Sequence, residues 1–181
     1  QLAAVPIAFR KHALLSPYAT MKKPLTLADH QNARMVVDPL RLFDCCLVTD
    51  GAAVAIVTTA ERARDLKKKP VAIAGVQGMR SGRDEFIFAP PNLGINQQPS
   101  HVRRLTVADN EVFAMAGVAL NDIDGLYTYD AFSPLILFVL ERFGYCGPGE
   151  AAQWVQNGRI ELGGELPMNT SGGLLSEAHV G

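Results

Sequence analysis

Leu126-Tyr127-Thr128-Tyr129-Asp130-Ala131-Phe132-Ser133-Pro134 runs directly into Leu135-Ile136-Leu137-Phe138-Val139-Leu140-Glu141-Arg142-Phe143 and stops at Gly144. Leu126 to Asp130 reads as a strand. Ser133-Pro134 supplies an N-cap and a first-turn proline for the helix behind it. Gly144 ends that helix, because glycine adopts the left-handed conformation that closes a last turn. A strand end feeding a helix is where open α/β sheets present ligands. Alternation of strands with helices on either side of this stretch predicts an α/β fold.

Toward the C-terminus, Glu150 to Val155 reads as a short helix ended by Asn157-Gly158. The polar, glycine-rich loop Leu166-Pro167-Met168-Asn169-Thr170-Ser171-Gly172-Gly173 then enters a further helix. Toward the N-terminus, Asp122 to Gly125 is a turn, and Thr106 to Val118 has helical spacing of Val107, Val112, Phe113, Met115 and Ala116, closing at Gly117. Residues 80–103, rich in Pro, Asn, Gln, Arg and Gly, read as a long surface excursion. Val71 to Val76 is a strand candidate, preceded by a helix over 59–66 whose basic end meets Pro70. Asp50-Gly51 opens a near-continuous apolar run to Thr59, read as a strand buried on both faces or a helix turn leading into one. Pro39 confines Val36 to Leu40 to extended or turn geometry. Thr26 and Asp29 are spaced as a capping box for a short helix leading to Met35. Residues 1–15 run to Ser16-Pro17, with Pro6 tolerable near a first helical turn.

The chain has 181 residues, room for a sizeable core, and 48% of them are apolar, as in a globular protein rather than a disordered one. Lys and Arg number 17 against 18 Asp and Glu, so the net charge of −1 excludes a strong non-specific hold on nucleic acid or anionic membrane. No apolar run is long enough to insert through a membrane. Three cysteines do not make a disulfide framework and favour a reducing, cytoplasmic setting. The chain starts at Gln1 without a methionine and stops at Gly181, and is read as an incomplete part of a longer fold.

Cys45 and Cys46 are adjacent, which suits no Cys-x-x-Cys metal knuckle, and Cys146 lies far off, so all three read as small buried residues. His12, His30, His101 and His179 form no metal-binding pair, and no metal site is expected. His12 and His30, in polar or amphipathic stretches, are expected at the surface. His179 follows the Gly172-Gly173 loop, where glycines let a ligand approach backbone N–H groups. Tyr129 and Asp130 stand at the strand end and face the space beyond it; alternatively Asp130 or Ser133 caps the helix and Tyr129 packs in the core. The run Gly75 to Gly82 lacks the Gly-Lys-Ser/Thr ending of a phosphate-binding loop.

Three of these stretches together resemble one family. Phe43-Asp44-Cys45-Cys46-Leu47-Val48-Thr49-Asp50-Gly51-Ala52-Ala53 resembles the acidic-Gly-Ala-Ala strand entry of thiolases. Tyr129-Asp130-Ala131-Phe132 stands where thiolases carry Asn-Glu-Ala-Phe and the sterol-carrier-protein-x type carries His-Asp-Cys-Phe. Leu166 to His179 resembles the Asn-x-x-Gly-Gly…Gly-His-Pro active-site loop, and Phe143 to Glu150 is similar to a Gly-Phe-Cys…Gly-Glu segment of the same sterol-carrier, or lipid-transfer-protein, branch. The resemblance implies the layered αβαβα thiolase fold, with residues 1–59 ending the N-terminal half and 60–181 making most of the C-terminal half. The family's nucleophilic Cys would lie before Gln1 and its second catalytic Cys after Gly181.

Tyr129 replaces the Asn or His that normally binds the thioester oxygen, and Glu177-Ala178-His179-Val180 replaces the usual Gly-His-Pro ending. A Tyr at the first position is similar to the lipid-transfer-protein aldolases of steroid side-chain degradation. The resemblance therefore implies retro-aldol cleavage of a β-hydroxyacyl-CoA. Tyr129 and His179 are the expected acid, base and enolate stabilisers, and Ala131, Phe132, Gly172 and Gly173 the expected substrate-binding residues. Acyl-CoA is the implied substrate, with no cofactor bound by this chain. The implied partners are a second copy, forming a homodimer, and a small OB-fold protein of the DUF35 type. A thiolase using a Cys outside this chain and a non-catalytic acyl-CoA-binding subunit are the competing expectations.

Overall fold

The computed structural model describes residues 1–76 and 111–180. Its first element, α1 (Ala4–Leu15), carries Pro6 within its opening turn, where the missing N–H has no intrahelical partner to lose. α1 buries Val5, Ala8 and Phe9, and ends where Ser16 turns extended. The short α2 (Leu27–Asn32) has the capping box its sequence predicts: the Thr26 side chain accepts from the Asp29 N–H while Asp29 accepts from the Thr26 N–H at 2.9 Å. An antiparallel hairpin follows, β1 (Met35–Val37) with β2 (Leu40–Arg41), turning through the cis Asp38–Pro39 bond.

Two expected strands are absent. Residues 51–59 and 71–76 form no regular element, and the apolar side chains in and just before them stand in solvent, Val48 at 99% and Val54 at 90% exposure. A strand buried on both faces needs neighbours on both edges, and none of the described residues supplies them. The intervening helix does form, as α3 (Ala60–Arg64), capped by the Thr59 hydroxyl. The expected excursion at 80–103 lies outside the described residues. α4 (Glu111–Ala116) is the described part of the helix expected over 106–118, and Gly117 closes it at φ 69°.

α5 (Ser133–Phe143) is the central helix, burying Ile136, Val139 and Leu140. Phe132, not Ser133, holds its N-cap position, so Ser133 falls one residue inside the helix and is buried there. Gly144 at φ 82° ends it; the Tyr145 N–H reaches the Leu140 carbonyl and the Gly144 N–H that of Glu141, a paired closure that satisfies two terminal carbonyls. α6 (Ala151–Trp154) and α7 (Gly173–Ser176) complete the helices. The core is where α1, α5, α6 and α7 meet: Phe9, Ile136, Leu140, Val155, Ile160 and Met168 are fully buried. Each such side chain contributes on the order of 1.5–3 kcal/mol of burial. Residues 126–130, expected as a strand, make one parallel bridge, Leu126 to Met168, which lays them alongside the loop before α7.

Candidate active site

That bridge is extended by side chains. The Leu126 N–H donates to Pro167 O and Asn169 N–H to Leu126 O. One residue pair further on, the Asn169 amide replaces a strand: its Oδ1 accepts from the Thr128 N–H and its Nδ2 donates to Thr128 O, both at 2.9 Å. Asn169 sits at φ 42°, a conformation asparagine tolerates better than most residues. Segments 126–130 and 166–169 are thereby locked side by side.

Asp130 closes the same joint. Its carboxylate accepts the N–H groups of Leu174 at 2.9 Å and Leu175 at 3.3 Å, so it caps α7 rather than the α5 helix that follows it in sequence. Asp130 is 1% exposed, and burial pushes its carboxyl up to about 6 despite those hydrogen bonds. Its partner position must be glycine: a Cβ on Gly173, at φ +59°, would stand 2.2 Å from Asp130 Oδ2. Gly172, at φ +116°, lets the loop touch α1, where a Cβ would meet the Ala13 Cβ at 2.6 Å.

α1 braces the loop from behind. His12, expected at the surface, is buried: its Nε2 accepts the Leu162 N–H at 3.0 Å, which leaves Nδ1 to donate to Asn169 O at 3.3 Å. The ring is thus neutral, and burial lowers its pKa. Arg10, also buried, donates to Ser176 Oγ at 3.0 Å. His30 is likewise buried rather than exposed, paired through Nε2 with Asp44 at 3.0 Å. In each case the partner, not the local composition, determines burial.

Tyr129 and His179 come together in front of this frame. Tyr129 is 44% exposed, so it is not a core residue, and its Oη lies 3.4 Å from His179 Nε2. The rings meet edge to face, 5.7 Å between centroids. Tyr129 stands at an open cleft of ≈ 470 Å³ whose walls include Thr128, Ser171, Gly173, Glu177 and Ala178, so His179 reaches its edge through Tyr129 and the neighbouring Ala178 rather than lining it. Phe132 is half-exposed nearby in sequence; Ala131 is buried, its carbonyl accepting the Cys46 N–H at 2.9 Å. The other face of His179 is held by residues to which the sequence assigns no role. Its Nδ1 lies 3.1 Å from Cys46 Sγ, and the Thr49 hydroxyl bonds both its N–H and its carbonyl at 2.9 Å. Cys46 is partly buried, and desolvation first, with the Asp130 charge adding to it, raises its thiol pKa. The motif that could have flagged these residues, Asp44 to Asp50, reads as a strand entry when seen alone. Chemically, a phenol on the wall of an open cleft, in contact with an imidazole behind it, can exchange protons with a bound molecule and donate a hydrogen bond to a developing oxyanion. Among the described residues no group of His, Cys, Asp and Glu is arranged to hold a metal ion, and no helix is long and apolar enough to cross a membrane.

Comparison with known proteins follows the same outline. Residues 93–181 match the family described as thiolase C-terminal domain-like. The chain is 41% identical, over 98% of its length, to the 17-hydroxy-3-oxo-4-pregnene-20-carboxyl-CoA lyase of Mycobacterium tuberculosis. It is 39% identical, over 97% of its length, to the steroid side-chain-cleaving aldolase of Thermomonospora curvata. A solved structure named Ltp2-ChsH2(DUF35) aldolase superposes on 98% of the chain with a TM-score of 0.78 and 33% identity. The chain spans less than half of each: 45% of the first relative, 44% of the second and 46% of the solved chain. It is therefore a partial chain of their common fold.

Proposed function

This chain belongs to the thiolase superfamily, and from that premise we propose that it carries the proton-transfer half of a retro-aldol site cleaving a β-hydroxyacyl-CoA. The contact between His179 Nε2 and the Oη of Tyr129, itself on the wall of the open cleft, is the observation that supports the reading most directly. In the reaction a base takes the β-hydroxyl proton and the Cα–Cβ bond breaks. The bonding pair enters the thioester as an enolate, and an acid then protonates Cα, releasing a ketone or aldehyde and a shorter acyl-CoA. Two proton carriers in contact, one of them able to donate a hydrogen bond to the enolate oxygen, meet those needs. Phe132 and the buried Ala131 lead the acyl chain toward the pair, and Gly172 and Gly173 shape the loop that faces it. Names of relatives as lyase and aldolase favour this reading over acyl transfer, and point to a steroid side chain as the acyl group. Partnership with a DUF35-type protein follows the named neighbour, and a homodimer and a cytoplasmic setting complete the proposal. The division between an N-terminal portion over 1–59 and a C-terminal portion over 60–181 belongs to it as well.

In the full-length protein, Tyr129→Phe and His179→Ala are each expected to slow cleavage of a β-hydroxyacyl-CoA by roughly 100-fold or more, the usual contribution of a positioned acid or base. Chromatographic detection of the shortened acyl-CoA and the carbonyl product measures it. Wild-type rates in both variants overturn the assignment. Acyl transfer to free CoA without carbonyl release identifies a thiolase instead.

A further inference from the structure

Residues 45–49 lie between the two segments that carry Tyr129 and His179 and are bonded to both. On one side Cys45 bridges Phe132, and the Cys46 N–H donates to Ala131 O at 2.9 Å. On the other, the Leu47 N–H donates to Leu174 O at 2.9 Å, Thr49 bonds the His179 backbone twice, and Cys46 Sγ meets the His179 ring. His179 lies beyond the last turn of α7, where the helix itself no longer fixes the chain. Without this strip the imidazole would be free to turn away from Tyr129.

We infer that Cys46 and Thr49 are the positioning residues of His179, Thr49 fixing its backbone and Cys46 fixing the orientation and tautomer of its ring; the inference rests on the retro-aldol reading only for its rate effect. The choice of tautomer follows from donor and acceptor strength. An imidazole nitrogen is a good acceptor and a thiol sulfur a poor one, so the favoured pairing is Cys46 S–H donating to a bare Nδ1. Burial keeps the thiol protonated and able to donate. The ring proton is then on Nε2, directed at Tyr129 Oη. His179 therefore enters the reaction as a hydrogen-bond donor through Nε2, suited to the enolate oxygen. Tyr129 is left to accept that bond or to exchange a proton with substrate. Cys46 thus acts through His179, as a partner that fixes which nitrogen carries the proton.

The test uses the full-length protein with 15N-labelled histidine. Wild type is expected to show His179 in the Nε2–H form; Cys46→Ala is expected to mix the tautomers, and Cys46→Ser, which keeps an O–H donor, to restore the Nε2–H form. Kinetically, Cys46→Ala is expected to lower kcat between roughly three- and tenfold, the worth of one such hydrogen bond, with KM within about twofold. Cys46→Ser should recover most of the loss. Thr49→Val should lower kcat and Thr49→Ser recover it, since only serine keeps the doubly bonding hydroxyl. An Nδ1–H tautomer in wild type, or a His179 spectrum unchanged in Cys46→Ala, overturns the inference. Equal losses in Ala and Ser that follow thermal stability, with the ring spectrum unmoved, do so as well. If the wild-type protein fails to cleave β-hydroxyacyl-CoA, the functional reading falls and the His179 spectra still decide the role of Cys46.

Discussion

The carboxyl of Asp130 offers a sharp test of the loop architecture, because its burial and its hydrogen bonds oppose each other. Folding raises its pKa from the ordinary 3.8 to about 6. A raised folded-state pKa means that the folded protein holds the proton more tightly. The stability linked to it is fully present below pH 3.8 and is lost as pH rises through 6. The full span corresponds to about 3 kcal/mol, of which about 2 kcal/mol falls between pH 4.5 and 7.5. Asp130→Asn removes the titration while keeping the shape. It also keeps one acceptor oxygen for the Leu174 and Leu175 N–H groups, and loses the second at a cost of roughly 1–3 kcal/mol. Near pH 4.5 the variant is expected to be the less stable protein, and by pH 7.5 the gap should have closed or reversed. Urea unfolding of both full-length proteins, side by side across this range, measures the difference; other titrating groups cancel in it. A difference that changes by less than about 0.5 kcal/mol, or that widens as pH rises, refutes the placement of a buried, proton-retaining carboxyl at the start of α7.

Two further outcomes probe the same frame. His12 is buried neutral with a lowered pKa, so the stability it contributes is present above its ordinary 6.5 and is lost as pH falls below that value; His12→Asn is expected to flatten this acid limb in the same unfolding series. Gly172→Ala forces a Cβ to within 2.6 Å of Ala13 at φ +116°. It should cost about 2 kcal/mol or more, by strain and overpacking together, seen as a lowered urea midpoint and a weakened site.

Local signals served well where the interaction they imply is itself local. Thr26 and Asp29 form their capping box, Pro134 and Gly144 bracket α5, and the glycine pair at 172–173 enters α7. Tyr129 and His179, 50 residues apart, do meet, legible because each belongs to a motif of recognisable order. What escaped depends on distant partners. His12 looks like a surface histidine until Leu162 and Asn169 reach it across 150 and 157 residues. Cys46 looks inert until His179 arrives from 133 residues away. Asp130, read as facing the space beyond the strand or else as a cap for the helix that follows it, caps the one that begins at Gly173. The run over 51–59 has strand composition and no strand beside it among the described residues, because apolar content records a surface that favours cover without supplying the cover.

The strip at 45–49 has a consequence for how this architecture can vary. The contact between Cys46 and His179 closes a loop of 133 residues, that between Tyr129 and His179 one of 50. Closure entropy grows only with the logarithm of length, so the longer loop costs merely about 1 kcal/mol more than the shorter. Doubling a connecting segment adds only about 0.6 kcal/mol. Closure entropy therefore sets little limit on the lengths of loops between the three site-bearing segments, while the core helices α5 and α6 between two of them are held by packing instead. A one-residue slip inside 45–49 breaks the bonds to Ala131, Leu174 and His179 together. Loop lengths are weakly constrained by closure while the register of five residues is not.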